Sequence, residues 1–382
     1  MLVRTPDYYS DFKCIAGECT DTCCAGWQVD VDDRSYEFYK TVTGDFGERL
    51  RSVMVDGKKG AEGQFRIRDD GRCPFLNDNN LCDLYTALGE DALCVTCDQY
   101  PRYTCEFGNL RETGIALSCK TAAELILKDD RTPGFTEYND EDAFPALNNI
   151  DGLLYVNLMK ARTMAFSIIW DRQYDIGRRM ARLLGFASDI QSLIGKPRHM
   201  CEVVEDYNRK KPESVYDDAS GNEKVRLYTR FWKYYMKQVI IKKEWVELAM
   251  LVQRELYNDD YERTERDFFE AYRPKEYEYE NILTYFVFRY FMKGVFDKDV
   301  LTKVKMAVVS TLMIMQCDMA VRKNKSGEFT LDDQIEVAHL YSREVEHSEE
   351  NFASLCRIFS KRKEFGIKNL MKLVNIYPNS RL

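Results

Sequence analysis

The sequence predicts a mainly α-helical protein. A cysteine-rich, metal-binding N-terminal region with a few short strands, residues 1–125, packs on an all-helical domain, residues 126–382. Three observations predict this. Ten of the 13 cysteines precede Lys120. Beyond that residue, apolar side chains recur three and four apart over long stretches, the period of a helix with one buried face. No G-x-G turn occurs anywhere, and strands do not alternate with helices after Lys120, which excludes a doubly wound nucleotide-binding fold.

The elements follow in chain order. "CIAGECTDTCC", residues 14–24, holds Cys14, Cys19, Cys23 and Cys24. Its first steps are one residue longer than the C-x4-C-x2-C of plant-type ferredoxins. A C-x3-C-x2-C triad of the radical type fails, because Gly26 stands where the third thiolate is needed. The adjacent Cys23 and Cys24 are expected to diverge, one to a metal and the other to packing or a second metal. Phe65 and Ile67 then alternate as a short strand, and Cys73 and Cys82 flank a turn at residues 77–80. Cys82 opens a short helix that Gly89 caps, Cys94 and Cys97 make the single C-x2-C pair, and Cys119 precedes an amphipathic helix. Loops and helix ends suit thiolate ligands, because free backbone N–H groups there can support them.

"MLVRTPDYYSDFK" has no apolar signal core, so a reducing, cytoplasmic compartment is expected, where such cysteines bind metal rather than form disulfides. Iron–sulfur is favoured over zinc, because paired C-x2-C knuckles are missing. Cys14, Cys19, Cys23, Cys73, Cys82, Cys94 and Cys97 form the main ligand pool, with Cys24 and Cys119 as substitutes. That is more than one four-coordinate centre needs. Cys105, Cys201, Cys317 and Cys356 are expected only to pack.

A net charge of −8 argues against nucleic acid as a partner. The longest apolar run, residues 306–315, is too short to span a bilayer and reads as a buried helix, so no membrane is expected. Residues 152–194 read as helices with Arg178, Arg179 and Arg182 on the solvated side. Residues 196–222, with Pro197, Pro212 and many charges, read as a linker or exposed excursion. The dense aromatics Tyr228, Phe231, Trp232, Tyr234 and Tyr235 are expected to pack helices together. In the last stretch Leu331, Ala338, Val345, Phe352 and Phe359 recur every seven and face the core. Glu336, His339, Arg343, His347 and Glu350 line another face.

Four blocks, "CIAGECTDTCCAGWQVDVD", "CPFLNDNNLCDLYTALGE", "LCVTCDQYPR" and "LSCKTAAELIL", together resemble the flagellin lysine-N-methylase family. That family overlaps the cysteine-cluster proteins described as zinc- or iron-chelating. "YENILTYFVFRYF" (279–291) and "YSREVEHSEENF" (341–352) resemble its central and closing helical segments. Lys120 and Thr121 follow Cys119 where the family commonly has Pro-Glu, and Cys105 lies outside its motif. The resemblance implies methyl transfer from S-adenosylmethionine to lysine amines of flagellin or a similar surface protein. It also implies an iron–sulfur cluster of 4Fe-4S type, with zinc as the alternative. A non-enzymatic redox or assembly protein of the cysteine-cluster group is the competing function. No S-adenosylmethionine site is legible. For the polar stripe two readings stay open: a solvated face of i,i+4 pairs, or a site where Arg343, Glu346 or His347 positions substrate or assists amine deprotonation.

Overall fold

The computed structural model describes residues 1–27, 29–57, 63–210 and 218–377. Two small sheets organise the N-terminal part. In the first, β1 (Leu2–Pro6) runs parallel to β6 (Leu110–Ile115) and antiparallel to β7 (Phe135–Asn139), and the hairpin partner β5 (Arg102–Phe107) completes the order β5-β6-β1-β7. In the second, β4 (Gly63–Phe65) lies between β2 (Asp30–Val31) and β3 (Met54–Asp56), all antiparallel. β7 lies past residue 125 and still belongs to the first sheet.

The short helices of this part start and stop for local reasons. α1 (Asp33–Thr41) begins where the Asp32 carboxylate accepts from Ser35 N, and α2 (Gly44–Val53) follows it. α3 (Asp83–Leu88) ends at Gly89, whose φ of +89° favours a residue without Cβ. α4 (Val95–Gln99) and α5 (Lys120–Leu127) start directly after Cys94 and Cys119.

The remaining helices are α6 (Gly152–Ile169), α7 (Ile176–Ser192), α8 (Met200–Lys210), α9 (Gly221–Tyr235), α10 (Lys243–Leu256) and α11 (Tyr261–Tyr272). After these come α12 (Glu276–Tyr290), α13 (Gly294–Asp297), α14 (Val300–Asn324), α15 (Leu331–Val345), α16 (Glu349–Lys361) and α17 (Ile367–Val374). α14 contains the apolar run at residues 306–315 and is wrapped by α7, α10, α12, α15 and α16. Among the described residues it is the one helix long and apolar enough to cross a membrane, and 94% of its apolar window is buried inside the fold. A helix apolar all round belongs at the centre of a bundle.

The hydrophobic interior falls into two cores. The small one gathers Val29, Val31, Tyr39, Leu50, Phe65 and Phe75 with Cys73 and Cys94. The large one joins the helices to the first sheet through Phe107, Ile115 and Leu117. Tyr228, Phe231, Trp232 and Tyr235 are buried in it as expected, with Tyr234 packed at its edge.

Three expectations are corrected. Arg179 and Arg182 are buried, not solvated: Arg179 pairs with Glu280 (2.5 Å) and Glu276 (3.1 Å), and Arg182 with Asp171 (3.1 Å). The polar face of α7 meets counter-charges on α12, so its period marked charge without marking exposure. Arg178 stays half-buried against the cap residue Asp175. Residues 196–222 hold α8, packed on α6 with Met200 fully buried, and residues 211–217 of that stretch lie outside the described ones. The last stretch is two helices, because the chain breaks after Val345 and Ser348 caps α16 by accepting from Asn351 N. Ala338, Val345 and Phe359 still face the core, with Leu331 and Phe352 half-buried beside it.

Candidate functional site

The cysteines gather into two neighbourhoods that meet at Cys23 and Cys24. Cys23 feels Cys14 and Cys119 electrostatically, and Cys119 feels Cys19 and Cys14. On the other side Cys97 feels Cys94, Cys24 and Cys73, while Cys73 and Cys82 both feel Cys24. Cys23, Cys24, Cys73, Cys82, Cys94 and Cys97 line a partly enclosed cavity of about 50 Å³ together with Trp27, Tyr39, Phe75 and Tyr100. That is more than the ~30 Å³ a water molecule occupies, and sulfur is almost the only polar element on its wall.

Two thiol pairs share protons in this chamber. The Cys23 thiol donates to Cys24, which pushes Cys23 far up and brings Cys24 down to about 7. Cys97 donates to Cys94 in the same way, raising Cys97 and lowering Cys94. Burial pushes Cys73 up to about 12 and raises Cys82 and Cys119. The adjacent thiols, expected to diverge, instead bond to each other and line the same cavity, and Cys23 also feels Cys14 and Cys119. Among the described residues no three His, Cys, Asp or Glu side chains converge on one point able to hold a single metal ion. The donor set is nevertheless that of a soft-metal or iron–sulfur centre, all sulfur and poor in oxygen.

α15 lies against the cysteine loop, and here the solvated-face reading fails. His339 and Arg343 are 0% and 1% exposed. Asp21, between Cys19 and Cys23, is their hub: it meets His339 Nε2 at 2.7 Å, Lys242 Nζ at 2.6 Å and Arg343 Nη1 at 3.4 Å. Burial alone would raise the Asp21 carboxyl. The His339 hydrogen bond, the Arg343 charge and the Lys242 hydrogen bond outweigh it and hold the group well below the usual carboxylate range. Arg343 Nη2 also donates to Ala25 O (2.8 Å), presented by the turn at Gly26, whose φ is +86°. A Cβ there would lie in the left-handed region and against Ile241 and Lys242. Glu336 remains exposed and pairs with Lys120, and Glu350 is exposed.

The three candidate side chains have different surroundings. The Glu346 carboxylate accepts from Tyr290 (2.7 Å), Tyr285 (3.1 Å), Arg289 (3.2 Å) and Ser342 (2.6 Å), so its lone pairs are occupied. Arg343 is a clamp on the cysteine loop. His347 packs edge-on against Trp27, ring centres 4.4 Å apart, and against Tyr100 at 5.6 Å. Its Nε2 has no hydrogen-bond partner among the described residues. Burial, then the charges of Arg343 and Arg289, bring its pKa down to about 4, so the ring is neutral at pH 7.

Cys105 sits on β5 against the large core, and Cys201, Cys317 and Cys356 pack in the helical body, Cys201 donating to Asn157 Oδ1 (2.9 Å). Sequence reasoning missed Asp21, Trp27, Tyr100, Tyr285, Arg289 and Tyr290. Each stands in or beside a block quoted above. Only the Tyr285 and Arg289 pair, four apart on one helix, carried a spacing signal.

This geometry defines a cysteine-cluster protein whose thiol chamber is roofed by a large helical body. Residues 162–373, more than half of the chain, match the FliB lysine N-methylase C-terminal domain family, and the chain belongs to that family. It is 25% identical over 170 residues to the "Lysine-N-methylase" of Salmonella typhimurium, covering 42% of each chain. It is 26% identical over 133 residues to the "Flagellar biosynthetic protein FliU" of Salmonella muenchen, covering 34% of this chain and 79% of that one. The matched stretch thus spans less than half the length of the lysine-N-methylase relative. No solved structure matches.

Proposed function

We propose that this protein is a lysine N-methyltransferase acting on flagellin or a similar surface protein, with S-adenosylmethionine as methyl donor and an iron–sulfur cluster held by its cysteines. The substrate class rests on family membership. The observation that carries the site is the neutral His347 ring, packed on Trp27 of the cysteine loop and on Tyr100, with no hydrogen-bond partner at Nε2 among the described residues. Cys14, Cys19, Cys23 and Cys119 would hold one centre. Cys24, Cys73, Cys82, Cys94 and Cys97 line the second neighbourhood. A bound cluster would supply a redox-active or Lewis-acidic metal and hold its thiolates deprotonated.

A lysine ammonium has no lone pair, and its reference pKa is about 10.4. Burial first, and then the charges of Arg343 and Arg289, lower His347 from 6.5 to about 4. The same surroundings act in the same direction on a lysine amine brought beside the ring. A shift of similar size puts that amine at roughly 8, so about a fifth of it is neutral near pH 7.4 without a strong base. His347 Nε2 is buried beneath Trp27 and Tyr100, so a lysine amine reaches it only once one of those rings moves aside. In the tautomer protonated on Nδ1, the Nε2 lone pair then accepts one amine N–H and turns the nitrogen lone pair toward the methyl donor. Glu346, saturated by Tyr285, Tyr290, Arg289 and Ser342, positions the end of α15 and does not take the proton.

The test is incubation of anaerobically purified protein with labelled S-adenosylmethionine and flagellin, followed by mass spectrometry of the lysines. Mass gains of 14 Da per methyl (about, from the CH₂ added) on lysine peptides are expected, and kcat/KM should rise with pH to a plateau above about 8. Unmodified lysines at stoichiometric amounts of iron-loaded protein would overturn the assignment.

A further inference from the structure

We infer that Trp27 is the gate over His347: its indole swings outward to admit the acceptor lysine and closes again on the methylene stem, which makes Trp27 a positioning residue. What enters rests on the lysine-methylation reading above. The gate itself rests on how the two covering rings are held.

Trp27 and Tyr100 both pack on His347, and they are anchored very differently. The Tyr100 hydroxyl donates to Ser118 O (2.8 Å), just before α5, and lies 3.3 Å from Ser118 Oγ. Its backbone is fixed as well. The Tyr100 N–H donates to Thr96 O at the end of α4 (3.3 Å), and Pro101 O accepts from Ala116 N (2.9 Å) where β5 begins. Displacing this ring would break side-chain and backbone bonds together. The indole of Trp27 has a single polar atom, and its one hydrogen bond runs from Nε1 to Cys23 O. An indole turned outward exchanges that bond for one to water.

The backbone on either side of Trp27 is tied down, so the side chain moves while the loop stays. Gly26 N–H donates to Gly71 O (2.8 Å), and Val29 O accepts from Phe65 N (3.1 Å). The inward direction is shut. On that side the indole walls the thiol cavity, whose volume of about 50 Å³ suits a water molecule and no aromatic ring. Outward, the half-buried Trp27 adjoins the exposed Gly26, which has no side chain to obstruct it. A change of χ1 from one staggered well to another therefore uncovers His347. With a lysine in place, the returning indole lies on its methylenes and keeps water from the amine.

Diethyl pyrocarbonate, which acylates an accessible neutral imidazole, tests this on the full chain at about pH 8, above the ordinary histidine range. Mass spectrometry of the peptides reads each histidine separately. The exposed His199 should react first, His347 about tenfold more slowly or less, and the fully buried His339 last. Trp27→Ala should speed His347 about tenfold and leave His339 as it was. Tyr100→Phe, which removes the Ser118 bond and keeps the ring, should change His347 by less than about twofold. Wild-type His347 as fast as His199, no gain in Trp27→Ala, or the larger gain in Tyr100→Phe would overturn the gate. If Trp27→Ala loosens the fold, shown by an equal gain at His339, Trp27→Phe decides: a gain of about threefold at His347 alone supports the gate, and none overturns it. In methyl transfer Trp27→Phe should raise KM for the acceptor about fivefold with kcat within about twofold, a split that general loosening does not produce. The acylation rates need neither donor nor acceptor, so a failure of methyl transfer leaves them readable.

Discussion

The two cores handle buried polarity in opposite ways. In the helical body many buried charges meet their complements, Arg162 with Glu112, Arg179 with Glu280 and Glu276, Lys224 with Glu265 at 2.6 Å, while Asp318 and Glu278 are held by tyrosine hydroxyls. In the small core the buried polar groups are thiols whose chief partners are other thiols, and a hollow of about 50 Å³ stands among them. The first region is complete as a polypeptide. On the proposed function the second is a core that a metal centre would complete, since a domain this small buries little apolar surface by itself.

The sharpest way to break this contrast is to strip metal from reduced protein with a chelator and follow amide exchange by mass spectrometry. Peptides from residues 29–57 and 63–97 should lose protection by orders of magnitude, while those of α14 keep theirs. Equal loss in both regions would mean one cooperative unit. Cys94→Ser should imitate the chelator, and Cys317→Ser should not.

Next in size is the helical body itself. Arg179→Ala leaves Glu280, a buried carboxylate, with only Arg172 beside it, and should cost about 3–5 kcal/mol in urea unfolding. A loss below about 1 kcal/mol would make that network dispensable.

His347 links the two regions. His347→Asn should cut methyl transfer at least tenfold, about 1.4 kcal/mol in the barrier, with iron content unchanged. It also carries a pH signature. The ring binds a proton in the unfolded chain near 6.5 but in the folded one only near 4, so stability is lost as pH falls through that window. Between pH 7.5 and 5 the wild type should lose about 2 kcal/mol more than His347→Asn, read by urea denaturation at both pH values. An identical pH slope in the two would mean the ring is not buried as described.

The smallest effect belongs to the exposed Lys120–Glu336 pair, which ties α5 to α15 across the boundary of the regions. Glu336→Gln should change stability by less than about 1 kcal/mol, because half-exposed ion pairs are screened. A larger loss would show the two regions depending on their rim.

Much of the architecture was legible. The apolar run at residues 306–315 gave the central helix, Gly89 the end of α3, and the thiol-rich loops the small core. What spacing could not supply was depth. The polar faces of α7 and α15 carry the same i,i+4 charges a wet face would carry, and only the counter-charges of α12 and of Asp21 make them interior. Those partners are about 100 and 318 residues away in sequence, beyond the reach of any local pattern. The expected divergence of Cys23 and Cys24 is not what the fold shows, because the two thiols bond to each other and line one cavity. Which other thiols join each neighbourhood was not legible, because it depends on how the turn at residues 77–80 and the start of α5 fold back.

The ring of contacts around Asp21 has a consequence for how the protein is made. His339 and Arg343 emerge from the ribosome some 318 residues after the loop they hold. At ~5–20 residues per second that is a delay of roughly 15 to 65 seconds. During that interval Cys14, Cys19, Cys23 and Cys24 hang on a segment without its clamp, open to oxidation and to stray metal ions. The order of synthesis thus makes assembly of the thiol chamber a late event, one that waits for the last third of the chain.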